Sequence, residues 1–201
     1  MAACRWKRTL YPSDLFVEAC GAIVFDGPIT TVPAAAAEPR KVCLLYYVAK
    51  DEWLLPKGRR NCNETRPAAA AREVREETGH AVRFPPLRLA TRAPAASEPP
   101  DVRDVARAYD GLAAEPFMLD VRDLGDGEGG GEEGGGGGGG IKLVWWFVAC
   151  LEGDAAAAEG EGEDQFRAVF VECGVAVEML TFQKDRDILE RAIALVEGQD
   201  G

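Results

Sequence analysis

The chain has 201 residues, of which 47% are hydrophobic, and its formal net charge is −11. Such an acidic balance argues against a general nucleic-acid or membrane-surface binder, because both classes rely on a positive field. No apolar run reaches the roughly 18 residues that a membrane-spanning helix needs, and no apolar signal-peptide stretch follows the charged N-terminus. We therefore expect a cytoplasmic or nuclear protein without a nucleic-acid or membrane partner.

The six cysteines are scattered without a C-x-x-C pair, and the chain has a single histidine. Cys20, Cys43 and Cys150 lie inside apolar runs, where a free cysteine behaves as a small hydrophobic residue. The sequence therefore predicts reduced, buried thiols rather than a zinc site or a disulfide framework.

Hydrophobic periodicity predicts a mixed sheet with flanking helices. The apolar runs predict strands at residues 16–25, 41–48, 52–56, 87–91, 117–121, 141–151 and 166–171. Residues 117–121 and 141–151 are expected to form a hairpin, and residues 41–48 a central strand. Helices are predicted from residues 65–67 to Gly79, where Pro67 suits the first turn, and from about 185 to 196.

Two low-complexity tracts interrupt this pattern. Residues 125–140 are almost pure glycine with acidic residues, and residues 154–164 form a second acidic insert. Such segments cannot bury apolar surface, so a disordered Gly-rich insert is expected. The fold prediction is one domain over residues 1–201, with its core at about 15–197, built as an α/β (or α+β) sandwich.

Three carboxylates in the first predicted helix carry the chemical signal. Glu73, Glu76 and Glu77 are spaced i, i+3 and i+4, so they share one helical face and repel one another. A divalent cation would turn that repulsion into coordination, since Mg²⁺ prefers oxygen ligands. The alternative is a solvated face on which Arg72 and Arg75 serve as partners.

The wider pattern G-x5-E-x7-R-E-[apolar]-x-E-E-x-G is complete between Gly58 and Gly79. It resembles the signature box of Nudix hydrolases, and residues 19–25 and 181–187 resemble the first strand and the usual ending of that fold. The pattern departs at His80, where the family has an apolar residue. We expect this histidine to pack rather than to act as a general base.

The resemblance implies a role for each position of the box. Glu76 and Glu77 would be the principal metal ligands, with the Gly58 carbonyl completing the site. Glu73 would be a further ligand or the general base that activates water. Arg72 would orient these glutamates. Glu64 would brace the loop, and Gly79 would end the helix.

The implied cofactor is Mg²⁺ or Mn²⁺, and the implied reaction is hydrolysis of a phosphoanhydride. Nudix enzymes often recruit another acidic residue from outside the box, for which three side chains are candidates: Glu163, Asp164 and Glu172. The sequence favours no particular oligomeric state.

The expected partner is a small polyphosphate substrate, either a nucleoside diphosphate linked to a further group or a diphosphoinositol polyphosphate, and highly phosphorylated compounds of the diadenosine polyphosphate or diphosphoinositol kind are favoured. Lys57, Arg59 and Arg60 would contact its phosphates, and two further arginines, Arg88 and Arg92, could add donors. A nucleotide would need an aromatic platform, for which Trp53, Trp145, Trp146 and Phe182 are available. ADP-ribose, nucleotide sugars and oxidised nucleoside triphosphates stay open.

Two rival hypotheses belong to other classes. A catalytically silent Nudix binding module would have lost box glutamates, whereas this chain keeps them all. An RNA-decapping enzyme would need a basic channel, for which 23 basic against 34 acidic residues offer no obvious source.

Overall fold

The computed structural model describes residues 8–29, 39–99, 101–125, 140–153 and 162–198. Within these ranges the chain forms ten strands and three helices. The strands are β1 (Phe16–Phe25), β2 (Lys41–Tyr47), β3 (Glu52–Leu54), β4 (Lys57–Arg59), β5 (Val82–Arg83), β6 (Leu87–Thr91), β7 (Arg107–Leu112), β8 (Met118–Asp123), β9 (Ile141–Leu151) and β10 (Phe166–Glu172). The helices are α1 (Arg66–Thr78), α2 (Cys173–Met179) and α3 (Gln183–Val196).

Eight of the strands form one mixed sheet around β1. The central order is β10-β2-β1-β9-β5, while β3 pairs with β2, β4 with β1, and β8 with β9. Strands β1 and β9 run parallel over their full paired length, and the other pairs in this sheet are antiparallel. Strands β6 and β7 form a separate two-stranded sheet.

Helices cover both faces of the sheet, which explains why the central strands are continuously apolar. Helix α1 packs its small residues Ala69, Ala70 and Val74 against one face, in a cluster with Cys20 and Phe147. On the other face, α2 and α3 pack against a second cluster. Its large side chains are Ile23, Phe25, Leu44, Trp146, Leu180 and Leu189.

The predicted sandwich of a mixed sheet flanked by helices is confirmed. The predicted strands and both helices are present, and β8 and β9 form the expected antiparallel hairpin. Strand β2 lies inside the sheet between β10 and β1, as its apolar pattern predicts. Most of the two predicted inserts, residues 126–139 and 154–161, lies outside the described residues.

Four elements were not predicted. The expected third strand, running from residue 52 towards 57–58, is two short strands, because β3 pairs with β2 and β4 turns away to pair with β1. Strands β5 and β7 and helix α2 are too short to show a clear hydrophobic periodicity in the sequence. Among the described residues, no helix combines the length and apolar character needed to cross a membrane.

Both ends of α1 are capped as its sequence predicts. The Thr65 hydroxyl accepts a hydrogen bond from the Ala68 N–H at 3.3 Å, and Pro67 occupies the first turn. Gly79 adopts a left-handed conformation, with φ of 78°, and its N–H donates to the Arg75 carbonyl. These caps fix which turn of the helix faces the loop from β4.

Candidate active site

The site is formed where β4 and the loop after it meet the glutamate-bearing face of α1. Strand β4 pairs with β1 through Gly58 and Cys20, and this pairing holds the Gly58 backbone beside the helix. A Cβ atom added at Gly58 would collide with the Glu73 carboxylate. A larger residue at this position would therefore displace the Glu73 carboxylate from its place beside the strand.

Arg72 connects the helix with the loop through all five N–H donors of its guanidinium. Its Nε and one terminal nitrogen donate to the two oxygens of Glu64, at 2.9 and 3.0 Å. The second hydrogen of that nitrogen reaches the Arg59 carbonyl at 2.9 Å. The other nitrogen donates to Glu73 and to Glu76, each at 2.8 Å. The arginine therefore holds three box glutamates, Glu64, Glu73 and Glu76, in a fixed orientation.

Glu77 points from α1 towards β4 and is the box glutamate with the strongest electrostatic perturbation. Its Oε2 accepts the Lys57 backbone N–H at 2.8 Å. Burial raises its pKa to about 8, against the opposing effect of the Lys57 charge. Burial also raises the pKa of Glu73, and Arg72 opposes that shift. A cation beside these acids would stabilise their ionised forms.

Of the three acidic candidates outside the box, the structure brings Glu163 closest to the helix. Its backbone N–H donates to the Glu76 carbonyl at 3.0 Å, and its charge raises the pKa of Glu73 and of Glu77. Asp164 is the next residue along the chain. Glu172 lies at the opposite end of β10, where it pairs with Lys41.

The three cationic side chains expected to contact substrate have different surroundings. Lys57 is half-buried and its charge acts on Glu77, whereas Arg59 is exposed. The Arg60 guanidinium donates to the Glu18 carboxylate at 2.9 Å and to the carbonyls of Asn61 and Glu64. Arg60 therefore braces the loop through at least three hydrogen bonds.

Glu18 is a residue that sequence reasoning missed. Its carboxylate accepts hydrogen bonds from Arg60, from two nitrogens of Arg66 and from the Trp145 indole, all at 2.9 Å or less. The Arg66 guanidinium also lies 4.0 Å from the centre of the Trp145 ring. The available signal was a glutamate inside an otherwise apolar strand, since a charge there needs partners.

The remaining sequence candidates have different surroundings. Arg88 and Arg92 form exposed ion pairs with Asp110 and Asp104 in the β6–β7 region. His80 is buried, and its ring meets Phe170 edge to face. Trp146 is fully buried, Trp145 and Trp53 are half-buried, and Phe182 is exposed at the start of α3.

The three carboxylates of α1 are suitable ligands for a divalent metal, although in this arrangement they accept hydrogen bonds from Arg72 and the Lys57 N–H. Among the described residues, no group of three or more histidine, cysteine, aspartate or glutamate side chains is positioned around one point for a metal ion. The physical reason is that Arg72 lies between Glu73 and Glu76, while Glu77 turns to the Lys57 N–H. Three carboxylates within one turn, of which that of Glu73 is buried, still form an oxygen-rich set suited to Mg²⁺ or Mn²⁺.

Part of the chain is similar to a known protein family. The family model for the NUDIX domain matches residues 31–113, which include the box. An 8-oxo-(d)GTP phosphatase of Mycolicibacterium smegmatis is 39% identical over 79 residues, a stretch that covers 37% of this chain and 23% of that protein. The matched stretch is thus less than a quarter of that relative's length.

Solved structures are similar to this chain at low sequence identity. The E. coli ORF135 protein has a TM-score of 0.50 and 14% identity, over 93% of this chain and 95% of that one. The Ap4A hydrolase of C. elegans has a TM-score of 0.48 and 14% identity, over 90% and 98% of the two chains. The matched family model and the complete box from Gly58 to Gly79 together make residues 31–113 similar to the NUDIX domain.

Proposed function

We propose that this chain hydrolyses a phosphoanhydride bond in a small diphosphate-containing substrate, with Mg²⁺ or Mn²⁺ as its cofactor. The observation that carries the proposal is the Arg72 network, in which four hydrogen bonds hold Glu64, Glu73 and Glu76 and a fifth joins them to the Arg59 carbonyl, next to Gly58. A solvated glutamate face has no need of such an arrangement, since exposed ion pairs contribute little to stability.

The roles of the box residues follow from their positions. Glu76 and Glu77 would hold the metal together with the Gly58 carbonyl, and Glu163 is the candidate for an acidic ligand from outside the box. When bound, the metal supplies charge neutralisation of the phosphate oxygens and acidification of water. Glu73 is a further ligand or the base that accepts the proton of the attacking water. Arg72 keeps these carboxylates oriented through charge-assisted hydrogen bonds.

The candidate substrates are a diadenosine polyphosphate, another nucleoside diphosphate derivative, an oxidised nucleoside triphosphate or a diphosphoinositol polyphosphate. Lys57 and Arg59 flank Gly58 and are the cations we expect to meet the phosphates. The Mycolicibacterium relative supports including 8-oxo-dGTP in the set. The acidic surface balance favours small molecules over capped RNA.

The direct test measures metal-dependent product release from each candidate substrate with Mg²⁺ and with Mn²⁺. We expect turnover by the wild type and a loss of at least about a hundredfold in Glu76→Gln, which removes a ligand charge but keeps the shape. Glu178→Gln, an exposed glutamate on α2, is the matched control. Turnover of Glu76→Gln equal to that of the control would contradict the metal assignment.

The second candidate function, a catalytically silent binding module, is separated by the same experiment. A folded wild-type chain that binds a polyphosphate but releases no product from any substrate would support it. The observation against it is that every glutamate of the box is present and that Arg72 holds three of them.

A further inference from the structure

Strand β8 forms an outer edge of the eight-stranded sheet. In the described part of the chain it pairs with β9 alone. The Leu124 N–H donates to the Gly140 carbonyl at 2.8 Å, which makes these two residues a hydrogen-bonded pair at the end of the β8–β9 ladder. Such pairs alternate along an antiparallel ladder, so the backbone N–H and C=O groups of Leu119, Val121 and Asp123 point away from β9. These groups can therefore pair with a further strand.

The side chains of β8 alternate between an apolar and a charged face. Leu119 and Val121 lie on the α1 face, because Leu119 is opposite Trp145, which packs against the α1 cluster. Their side chains are 40% and 57% exposed, which leaves apolar surface open in the middle of a strand. Asp120 and Arg122 lie on the α3 face, where the arginine donates to the aspartate at 2.7 Å.

The charges of β8 are arranged symmetrically about Val121. If two copies of the strand pair antiparallel around a two-fold axis at this residue, residues equally distant from it lie opposite each other. Asp120 then faces Arg122 of the second copy, and the reverse contact forms on the other side of the axis. Val121 faces its own counterpart through two backbone hydrogen bonds, because its N–H and C=O groups point outwards. Charges on an exposed edge usually prevent pairing, whereas these charges complement one another.

The same charges select one register. Moving the axis by one residue in either direction places Asp120 opposite Asp120, or Arg122 opposite Arg122. Like charges that lie directly opposite each other destabilise a pair of strands. In the register centred on Val121, the opposite charges instead form non-hydrogen-bonded pairs, in which the side chains approach each other most closely.

The other long edge strand lacks this symmetry. Among the described residues, β10 pairs with β2 alone. Its charged residues Arg167 and Glu172 are five positions apart, so they lie on opposite faces of the strand. Residues that lie opposite each other in an antiparallel pair share a face, so two copies of β10 could not bring this arginine and this glutamate together. The charge pattern therefore favours self-association at β8.

We propose that two copies of this chain associate through β8, edge to edge and antiparallel about Val121, so that their sheets become continuous. The two Asp120–Arg122 contacts between the copies complete a ring of four alternating charges with the two ion pairs inside the copies. On the α1 face, Leu119 and Val121 of both copies cover one another's apolar surface. This association does not depend on the proposed hydrolysis.

The strength of the association follows from its size. Strand β8 has six residues, so the paired edges bury a small area. Interfaces below about 1,200 Å² are mostly weak and transient. The experiment is therefore sedimentation velocity of the full chain from about 1 µM to about 1 mM, a range that covers weak association. The sedimentation coefficient of the wild type should rise with concentration from that of a monomer towards that of a dimer.

Two charge reversals test the register. Asp120→Lys and Arg122→Glu each place two pairs of like charges across the axis. Each variant alone should self-associate at least about tenfold more weakly than the wild type. Each reversal also breaks the ion pair inside its own copy. Reduced association of the single variants could therefore follow from a local change in β8.

Mixing the two variants separates these explanations. In a dimer of one Asp120→Lys copy and one Arg122→Glu copy, both contacts across the axis join opposite charges again. The equimolar mixture should therefore associate with about the affinity of the wild type, although neither copy regains its internal ion pair. A chain that carries both substitutions restores all four contacts with the signs exchanged and should also associate like the wild type.

The matched controls are Glu178→Lys and Arg103→Glu, which reverse exposed charges away from β8. They change the net charge by the same amounts and should associate like the wild type, alone and mixed. Far-ultraviolet circular dichroism establishes that each variant is folded. If a reversal in β8 does not fold, Val121→Lys replaces it, since this exposed side chain would place two like charges opposite each other at the axis.

Three results would each overturn the proposal. The first is a wild type that stays monomeric over the whole concentration range. The second is self-association of Asp120→Lys, Arg122→Glu or Val121→Lys as strong as that of the wild type, because it would show that another surface joins the copies. The third is a mixture of the two reversals that associates no more strongly than either variant alone.

Discussion

Each face of the sheet has a cavity bordered by a largely buried carboxylate, and the two acids differ in their partners. On the α1 face, beside the Arg66–Trp145 stack, Glu18 accepts four hydrogen bonds. On the α3 face, Asp185 accepts none from the described residues. Donors of the protein itself satisfy the Glu18 carboxylate, whereas the Asp185 carboxylate has no hydrogen-bond donor among the described residues.

This difference separates two kinds of buried charge. Glu18 joins β1 to the loop after β4 and to the first turn of α1, so its hydrogen bonds stabilise the position of the box. Asp185 borders a cavity and has unused acceptor capacity, so hydrogen bonds within the described residues do not compensate its burial. The α1 side should therefore lose stability when a charge is removed, and the α3 side should gain it.

The largest expected effect comes from Arg72→Lys, which removes the guanidinium that joins the box glutamates on the α1 face. Lysine keeps the charge but cannot place five donors in a plane, so Glu64 and Glu76 would lose their common anchor. We expect kcat to fall by about a hundredfold and the free energy of unfolding by about 1–3 kcal/mol. Turnover assays and urea unfolding measure both quantities, and Arg75→Lys, exposed on the same helix, is the control. A variant as active as that control would show that the network does not orient the carboxylates.

A smaller effect is expected from Gly58→Ala. The added methyl group would meet the Glu73 carboxylate and push β4 or the glutamate aside, whereas Gly174→Ala on α2 adds a Cβ atom with no neighbour within 4 Å. We expect kcat to fall about tenfold or more, with a loss of about 1–3 kcal/mol in stability for Gly58→Ala. Gly174→Ala should instead be neutral or stabilising by up to about 1 kcal/mol. Similar behaviour of the two alanine variants in turnover and in thermal unfolding would contradict the close approach at Gly58.

The contrast between the two faces also explains what could be predicted from the sequence. Helix α1, its caps and its glutamates are contiguous in the chain, so local spacing was enough to predict the helix and which side chains share a face. The fold class followed from the apolar periods of the long strands. The short elements β5, β7 and α2 depend on tertiary contacts, and nothing in their own residues predicted them.

The hydrogen-bond partners of the charged side chains could not be predicted from the sequence, because they come from distant parts of the chain. Arg60 has the sequence context of a phosphate contact, yet its guanidinium pairs with Glu18, 42 residues earlier. The cavity near Asp185 brings together β2, β3, β8 and α3, which no local pattern links. Predicting either would require knowing the strand order in advance.

Glu18→Gln tests the hydrogen-bonded carboxylate on the α1 face by removing its single charge. Burial alone would raise the pKa of Glu18, but hydrogen bonds from Arg66 and Trp145 outweigh it and hold this pKa below the usual 4.5. A lowered pKa in the folded state stabilises the protein above about pH 4.5, and this contribution is lost as the pH falls below that value. We expect the variant to be less stable than the wild type by about 1–2 kcal/mol at pH 7, with a difference that shrinks in acid.

Urea unfolding from pH 3 to pH 7 measures that difference, with Glu178→Gln as the exposed control. We also expect a lower kcat, because the loop would hold the box less firmly. A constant stability difference across this pH range would mean that the lost contribution is packing and not charge.

Asp185→Asn should have the smallest effect and the opposite sign. Burial raises the pKa of Asp185 above its usual 3.8, so the ionised form destabilises the fold, and wild-type stability falls as the pH rises from about 3.8 through the raised pKa. Removing the charge should therefore stabilise the protein at pH 7 by roughly 0.5–2 kcal/mol, the common range for single stabilising substitutions, and should give no gain below about pH 3.8. Thermal unfolding of this variant and of Glu190→Gln, an exposed control on the same helix, at both pH values measures the gain. A loss of stability at pH 7 would show that the Asp185 charge stabilises the start of α3, because an unpaired buried carboxylate should leave the protein more stable once its charge is gone.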